Sequence, residues 1–253
     1  MSKLPIDTHS HLTDFQEVPN IIKEAKEKLS AVFTCGYSME TSVAGADLAK
    51  ANPGFIYAIA GDAPQRVMEN PNVELLWLEE LEGIVAVGEI GLDMHWGKTD
   101  NQLKNQKRWF ESQLCIAEKR GLPVVIHSRD AESEVLDILE SHALKGVLLH
   151  CFSGKMFEAK RGVDKGYLIS IPPTNSKTRR KIIKSVDIEY LLLESDSPYI
   201  GKNPWSVIDA ARSISELKGL SLGEVSDITA RNAINFYGVE RYGYQQTEGS
   251  LQE

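Results

Sequence analysis

Six side chains that can bind metal ions lie at the ends of short apolar runs of the sequence. They are His9, His11, Glu89, His127, His150 and Asp196. Imidazole and carboxylate groups together are typical ligands of divalent metal ions such as zinc. Histidines placed only for packing would show no preference for the ends of apolar runs. The sequence therefore predicts a metal centre assembled from five distant parts of the chain.

His9 and His11 form a His-x-His pair. Because successive side chains of a strand point to opposite faces, residues two apart point the same way, and both imidazoles can bind one cation. Asp7 lies on the same face, one step deeper, where we expect it to orient a ligating histidine. The pair is weak evidence when taken alone, and its significance comes from the other four positions.

Two cations suit six ligands better than one. A zinc ion takes about four ligands, and a catalytic site keeps one position open for water. With Glu89 bridging, one cation would use His9, His11 and Asp196, and the other would use the remaining two histidines. Two cations about 4 Å apart can activate a water molecule and stabilise both oxygens of a phosphoryl displacement. These ligand types leave zinc, magnesium and manganese open.

The elements that would hold these residues alternate along the chain. Short apolar runs predict eight strands, and the amphipathic stretches between them predict helices. The predicted strands are Leu4–His9, Ala31–Cys35, Phe55–Ala60, Ile84–Glu89, Pro123–His127, Gly146–His150, Tyr167–Ile171 and Tyr190–Asp196. Strands that alternate with helices indicate a parallel sheet.

A chain of 253 residues suits one α/β domain of the TIM (β/α)8 barrel type. We assign this domain to residues 1–242, with an open doubly wound sheet as the alternative. In a barrel the carboxyl ends of all strands meet on one face, where active sites form, so the six candidate ligands would meet there. The polar segment 243–253 is expected to be a frayed tail.

The composition excludes some classes of protein. A formal net charge of −8 argues against a broad basic surface for nucleic acid, although bound metals would make a nuclease site locally cationic. No apolar run reaches the roughly 20 residues of a membrane-spanning helix. Three scattered cysteines and the lack of a signal peptide indicate a cytoplasmic protein. We expect no membrane association and no obligate protein partner.

Five segments around the candidate ligands resemble the signature segments of TatD-type deoxyribonucleases, and they occur in that family's order. They are Asp7-Thr-His-Ser-His11, Gly88-Glu-Ile-Gly-Leu-Asp93, Val125-Ile-His-Ser-Arg129, His150-Cys-Phe-Ser-Gly154 and Glu194-Ser-Asp-Ser-Pro198. The segment Ala230–Phe236 resembles the closing helix of the same family. The resemblance implies a hydrolase that uses two metal ions to cleave phosphodiester bonds, with DNA as its substrate.

The resemblance also implies roles for two of the ligands. Asp196 would accept a proton as well as bind metal, and Glu89 would hold the two cations at working distance. One segment departs from the family. After the third strand many relatives carry a Gly-x-His-Pro-His-like segment, where this chain reads Gly61-Asp-Ala-Pro-Gln65. That difference bears on substrate choice or rate.

Three residues near the predicted strand ends are candidates for phosphate binding. Arg129 could hold a phosphate with both ends of its guanidinium or form an ordinary salt bridge. Ser153 and Gly154 could present backbone N–H groups to a phosphate or could simply cap a helix.

Arg179 and Arg180 belong to the basic segment Lys177–Lys181 at the start of a predicted helix. A helix N-terminus favours acidic side chains, so this unfavourable placement predicts capture of a phosphate backbone near the metals. His95, in the loop after Glu89, could touch substrate but is interpreted as packing against Trp96 beside it. Trp205 could stack on a base.

Three other functions stay open from the sequence. Some relatives are reported to act on D-aminoacyl-tRNA, and the ligands alone cannot separate that reaction from DNA cleavage. Amidohydrolases share the His-x-His pair, but many carry a lysine where this chain has Glu89, which favours the nuclease branch. A catalytically silent binding protein would be expected to lack some ligands, whereas all six positions are filled.

Substitution of single histidines tests the argument from strand ends. We expect His127→Ala and His150→Ala to deplete the same metal site, whereas His142→Ala should change neither the metal content nor the rate. His142 lies near the end of a predicted helix, where a cation is favourable without any metal. Elemental analysis of the three purified variants is the measurement. A loss of metal from His142→Ala as large as that from His150→Ala would contradict the argument.

Overall fold

Eight parallel strands surround a common axis in the computed structural model, which describes residues 4–69 and 74–239. Each strand pairs with the next along the chain, in the order β1 to β8. The strands are β1 (Ile6–Ser10), β2 (Ala31–Cys35), β3 (Ile56–Ala60), β4 (Ile84–Gly91), β5 (Val124–His127), β6 (Val147–Leu149), β7 (Leu168–Ile171) and β8 (Leu191–Leu193). The predicted TIM barrel is therefore confirmed as a nearly closed barrel.

Helices connect the strands and cover the outside of the barrel. They are α1 (Val18–Lys28), α2 (Met39–Ala51), α3 (Pro64–Glu69), α4 (Leu76–Glu80), α5 (Asp100–Arg120), α6 (Glu132–Leu139), α7 (Met156–Asp164), α8 (Lys177–Ser185), α9 (Val207–Lys218) and α10 (Leu222–Tyr237). Short 3-10 helices lie at Leu12–Asp14, Ile188–Tyr190 and Pro204–Ser206. Among the described residues, no helix combines the length and apolar character needed to cross a lipid bilayer.

The largest differences from the predicted elements lie in three places. The sequence pattern missed α3 and α4, because helices this short carry too few apolar positions to show a period. Strand β4 continues two residues past Glu89, to Gly91. Strand β8 ends at Leu193, and the backbone then turns through Asp196, whose φ of 46° lies in the left-handed region. The predicted tail, 243–253, lies outside the described residues.

The strands alternate between two apolar layers. One layer lies between the sheet and the helices, and the other fills the barrel. The inner layer includes Val125 of β5, Leu148 of β6 and Leu192 of β8. Because side chains two apart on a strand point the same way, the next inward positions are His127, His150 and Glu194. The same alternation that builds the core therefore delivers polar groups to the mouth of the barrel.

The seam between β1 and β8 closes the barrel through loop and side-chain hydrogen bonds. Backbone N–H groups of Asp196 and His11 donate to the carbonyls of His9 and Ser197 at 2.9 and 2.7 Å. The Thr8 hydroxyl donates to the Leu193 carbonyl at 2.7 Å. These bonds fix the two metal-capable segments, one on each side of the seam, relative to each other.

Asp7 belongs to this seam. Its carboxylate is fully buried and accepts hydrogen bonds from the backbone N–H and the hydroxyl of Ser195, at 2.8 and 2.6 Å. The expectation that Asp7 orients a histidine ring is not met, since its contact with His9 is to the backbone N–H at 3.4 Å. Burial raises the pKa of Asp7 well above its usual value, and the bonds from Ser195 offset part of that effect. Asp7 therefore holds the β8 loop in place.

Removal of the Asp7 carboxylate should weaken the fold. We expect Asp7→Ala to lower the free energy of unfolding by about 1–3 kcal/mol, because the buried donors of Ser195 lose their acceptor. Asp7→Asn keeps one acceptor oxygen and should lose less. Urea denaturation followed by circular dichroism measures both.

Asp209→Ala is the matched control, since this carboxylate lies on the surface in an ion pair with Arg212. Its loss should stay within about 0.5 kcal/mol. Equal losses for Asp7→Ala and Asp209→Ala would contradict the role assigned to the seam.

Candidate metal centre

All six predicted ligands lie together at the carboxyl end of the barrel. His9 comes from β1 and His11 from the residue after it, Glu89 from β4, and His127 from the end of β5. The other two follow β6 and β8 and are His150 and Asp196. Five of the six side chains are buried, and His127 is nearly so.

Glu89 occupies the middle of this group. Its Oε2 atom lies 3.7 Å from His9 Nε2 and 3.8 Å from His11 Nε2. Its Oε1 atom faces the opposite side, 2.5 Å from His127 Nδ1 and 3.4 Å from His150 Nε2. The carboxylate thus presents one oxygen to each pair of histidines.

Asp196 completes one side of the group. Its Oδ1 atom lies 3.4 Å from His11 Nε2 and 3.8 Å from His9 Nε2, and these two nitrogens are 3.3 Å apart. Two sets of three donors lie within 4.8 Å of one another and could each hold a metal ion. One set is His9, His11 and Asp196, and the other is His9, Glu89 and His150.

Second contacts orient two of the imidazoles. The Nδ1 atom of His11 lies 2.9 Å from the Cys35 carbonyl. Because a carbonyl only accepts, Nδ1 carries the proton and Nε2 of the neutral ring presents its lone pair to the centre. The Nδ1 atom of His150 lies 3.1 Å from Glu194, whose carboxylate also accepts from the Ser170 hydroxyl at 2.6 Å. Both rings therefore turn Nε2 inward.

His127 has a different environment from the other three histidines. Its Nδ1 faces Glu89, and its Nε2 lies 2.9 Å from Asp93 Oδ2. Burial opposes a charge on this ring, but the two carboxylates raise the pKa of His127 to about 9. Both nitrogens therefore carry protons in this arrangement, and His127 is absent from the two sets of donors described above.

Gln65 fills the position where the sequence departs from its relatives. Its amide donates to Asp93 Oδ2 at 2.8 Å and lies 3.4 Å from His127 Nε2. Asp62 is not at the centre: its carboxylate is buried beside Arg66, 3.9 Å away, and its backbone is held by Gln113. Sequence reasoning gave Gln65 no role in the site, because a neutral amide carries no metal-ligand signal.

The buried charges depend on one another. Burial opposes ionisation of Glu89, yet His150 and His127 hold the pKa of its carboxyl well below the usual range. Burial also opposes a charge on His150, but Glu194 and then Glu89 raise its pKa well above the usual value. In contrast, burial and neighbouring imidazoles lower the pKa of His9 well below that of a free imidazole. The carboxylates create a negative potential that divalent cations would neutralise.

The donor chemistry fits metal ions. Burial opposes ionisation of Asp196 as well, but its hydrogen bond to His11 and the charge of His150 lower its pKa to about 2. Two ionised carboxylates therefore converge with the nitrogens of four imidazoles in a buried space. The Nδ1 atom of His9 has no hydrogen-bond partner among the described residues, so the ring is available through its other nitrogen. Mixed nitrogen and oxygen donors of this kind suit zinc and manganese.

A cavity of about 760 Å³ opens above these residues. Arg129, Ser153 and Arg179 line it, together with aromatic side chains. Gly154 does not line this cavity, and lies instead in an adjacent hollow of about 430 Å³ among acidic residues. The Ser153 hydroxyl donates to Glu132 at 3.0 Å.

The two predicted arginines of α8 separate in the structure. Arg179 turns into the cavity, where its guanidinium donates to Thr174 and lies 3.4 Å from the Phe152 carbonyl. Arg180 points away from the cavity and faces Glu216 of α9 at 4.0 Å. Adjacent residues of a helix lie about 100° apart around its axis, so the two arginines must face different ways. Which of them faces the cavity depends on how α8 packs against the barrel, and a periodic pattern does not show that.

His142 lies outside the centre, near Cys115 and Glu118 of α5. These three side chains could also approach one ion, but the Glu118 carboxylate already accepts from the Ala143 backbone N–H at 2.5 Å and lies 3.4 Å from His142 Nδ1. These contacts join α5 to the segment after α6. They agree with the structural role expected for His142.

Sequence reasoning missed Glu194 and the Cys35 carbonyl as partners of the histidines. Glu194 could have been found, because it follows Leu192 by two residues and so points inward on the last strand. The Cys35 carbonyl carried no such signal. The register shift between Val87 and Ile90 of β4 sets where the chain lies after Glu89, and it is invisible in the sequence.

A parallel eight-stranded barrel with imidazole and carboxylate groups at its carboxyl face is the architecture of a metal-dependent hydrolase. Comparison with known families gives the particular one. The model of the family described as TatD related DNase matches residues 6–238, and this chain belongs to that family.

Relatives and solved structures agree. The chain is 32% identical to an uncharacterized metal-dependent hydrolase, YabD, of Bacillus subtilis, over 92% of this chain and 98% of the relative. It is 28% identical to the human deoxyribonuclease TATDN3, over 95% and 97% of the two chains. The crystal structure of YJJV, a TatD homologue from Escherichia coli, superposes with a TM-score of 0.85 at 27% identity, covering 95% of this chain and all of that one.

Proposed function

We propose that this metal-dependent hydrolase is a deoxyribonuclease that uses two divalent cations. The observation that carries the proposal is the position of Glu89, whose two oxygens face different pairs of histidines. A carboxylate so placed can hold two cations side by side. The human relative is named a deoxyribonuclease, and a relative from Edwardsiella piscicida, 32% identical over 77% of this chain, is named a 3'-5' ssDNA/RNA exonuclease.

Each cation would have its own ligands. His9, His11 and Asp196 would hold one, and Glu89 would reach both. His150 and His127 would hold the other, provided that His127 gives up a ring proton, since metal binding displaces protons from its ligands. When bound, the metals would lower the pKa of a water molecule and offset negative charge on the phosphate.

Side chains of the protein would perform the other steps of the reaction. Water would attack phosphorus while Asp196, ionised at the floor of the cavity, accepts a proton from that water. The bond from phosphorus to the leaving oxygen would break, and the leaving oxygen would take a proton from solvent. Arg129 and Arg179 line the same cavity, where their guanidinium groups can bind phosphate oxygens that gain charge as the bond breaks.

The alternatives have less support. The amidohydrolase alternative lacks the lysine expected near the end of the fourth strand, since Glu89 stands there. A silent binding protein would not need ionised carboxylates and imidazoles held by second partners around a cavity. A D-aminoacyl-tRNA deacylase would use the same ligands, so only a direct test of substrates separates it from a deoxyribonuclease. Cys35, Cys115 and Cys151 are all free thiols, which supports a reducing, cytoplasmic location.

The function is tested by substrate and by removal of the central charge. We expect the protein supplied with zinc, magnesium or manganese to cleave labelled single-stranded or double-stranded DNA and to leave D-aminoacyl-tRNA intact. Glu89→Gln keeps the shape of the side chain but removes the charge that would bridge the two metals. It should lose at least one metal by elemental analysis, and its turnover should fall about 100-fold or more.

Glu24→Gln serves as the control, since Glu24 lies exposed on α1 in an ion pair with Lys28. It should keep full activity and metal content. Near-normal hydrolysis by Glu89→Gln with full metal occupancy would refute the bridging role, and deacylation without DNA cleavage would refute the nuclease.

Arg179 and Arg180 give a matched pair for phosphate binding. We expect Arg179→Ala to raise KM for DNA with little change in kcat and to flatten the log–log salt dependence of binding by about 0.7–0.9. Arg180→Ala removes the same charge from the adjacent position but not from the cavity, so it should change both quantities much less. Fluorescence anisotropy at several salt concentrations measures the slopes. Equal slopes for the two variants would show that proximity to the cavity is irrelevant.

A further inference from the structure

Two large aromatic side chains are exposed on the wall of the catalytic cavity. Trp96 is 58% exposed and Tyr199 is 63% exposed, and both line the cavity above the metal centre. A protein loses hydrophobic stabilisation by leaving such rings in water, so an exposed aromatic beside a candidate site points to a ligand. The indole of Trp96 still makes the aromatic contact expected of His95, whose ring meets it at a right angle with centroids 4.8 Å apart.

Tyr199 is held on the side of His11. Its hydroxyl donates to Asp14 Oδ2 at 2.6 Å, and the other oxygen of Asp14 accepts from the Tyr37 hydroxyl at 3.2 Å. The Tyr199 ring meets the His11 ring nearly at right angles, with centroids 5.2 Å apart. These contacts fix one edge of Tyr199 and leave much of the ring in the cavity.

Trp96 is held on the side of His127. Its backbone N–H donates to Asp93 Oδ1 at 2.9 Å, and the other oxygen of Asp93 is the one that contacts His127. The Arg129 guanidinium lies 5.9 Å from the centre of the indole. The loop that carries Trp96 is therefore tied to the same carboxylate that positions a residue of the metal centre.

We propose that Trp96 and Tyr199 are two stacking platforms, one on each side of the scissile phosphate, which hold the unpaired nucleobases that flank it. The proposal rests on the proposed nuclease function. The Tyr199 ring contacts His11, and the loop that carries Trp96 is tied through Asp93 to His127 on the other side of the centre. A phosphate bound between the two rings would therefore place one neighbouring nucleotide at each ring. Stacking on aromatic side chains is tolerant of sequence, because every base has a π face.

Trp205 does not compete for this role. The ammonium of Lys28 lies 3.9 Å from its ring centre, and Trp205 does not line the catalytic cavity. The position of Trp205 gives no support to the expectation that it stacks on a base. Phe157, 59% exposed on α7, lies outside the cavity too and provides a control for the loss of an exposed aromatic.

Oligonucleotides that lack single bases test the platforms. The substrates are a single-stranded DNA cleaved at one linkage and two versions with an abasic residue on one or the other side of it. We expect Trp96→Leu and Tyr199→Leu each to lower kcat/KM on the intact strand about 5-fold to 100-fold. Each variant should match the wild type on the one abasic substrate whose missing base faced its ring. Tyr199→Phe keeps the ring and should retain most of the rate, and Phe157→Leu should match the wild type on every substrate.

Binding gives a second readout without turnover. Anisotropy with metal-stripped protein in EDTA should show the wild type binding the intact strand more tightly than either abasic strand, and each leucine variant should lose one of these two preferences. If both leucine variants keep the wild-type preference for bases, the platforms are refuted even though the nuclease stands. If the wild type cleaves no strand but prefers bases in this binding assay, the proposed reaction fails while the stacking sites are supported.

Discussion

The structure depends on one buried carboxylate placed among four imidazoles. Burial alone would neutralise Glu89, since removing a charge from water costs several kcal/mol unless other charges compensate. The charges of His150 and His127 reverse that effect and keep the Glu89 carboxylate ionised. A buried negative charge needs nearby positive charge, which either protonated histidines or divalent metal ions can provide. The centre is therefore built for cations before any is bound.

The rest of the barrel fixes the directions of these groups. Inward alternation on β5, β6 and β8 places His127, His150 and Glu194 at the mouth. The seam between β1 and β8 sets the distance between the His-x-His pair and Asp196, and Asp7 supports that seam from below. In His11, His150 and His127, the ring nitrogen that points away from Glu89 or lies farther from it is bound by a carbonyl or a carboxylate, so each of these three rings has little freedom to turn away from the centre.

Two carboxylates near the metal centre also hold aromatic residues that line the cavity. Asp93 uses one oxygen for His127 and the other for the loop that carries Trp96. Asp14 similarly joins Tyr199 to Tyr37 beside His11. Single carboxylates therefore connect the surroundings of the metal centre to the aromatic side chains that line the cavity. An acidic chain can still bind a polyanion here, because arginines face the cavity and the metals would add positive charge.

The sequence by itself determined the barrel and the six candidate ligands, because alternation and strand-end placement are local patterns with fixed geometric consequences. The family followed from the resemblance of five sequence segments. It could not show that Arg179 enters the cavity while Arg180 leaves it, nor that Gln65 meets Asp93, nor that His127 lies between two carboxylates. Those outcomes depend on strand register, on the turn at Asp196 and on how each helix is rotated against the sheet. Only the packing of the whole chain decides these, since each involves residues far apart in sequence.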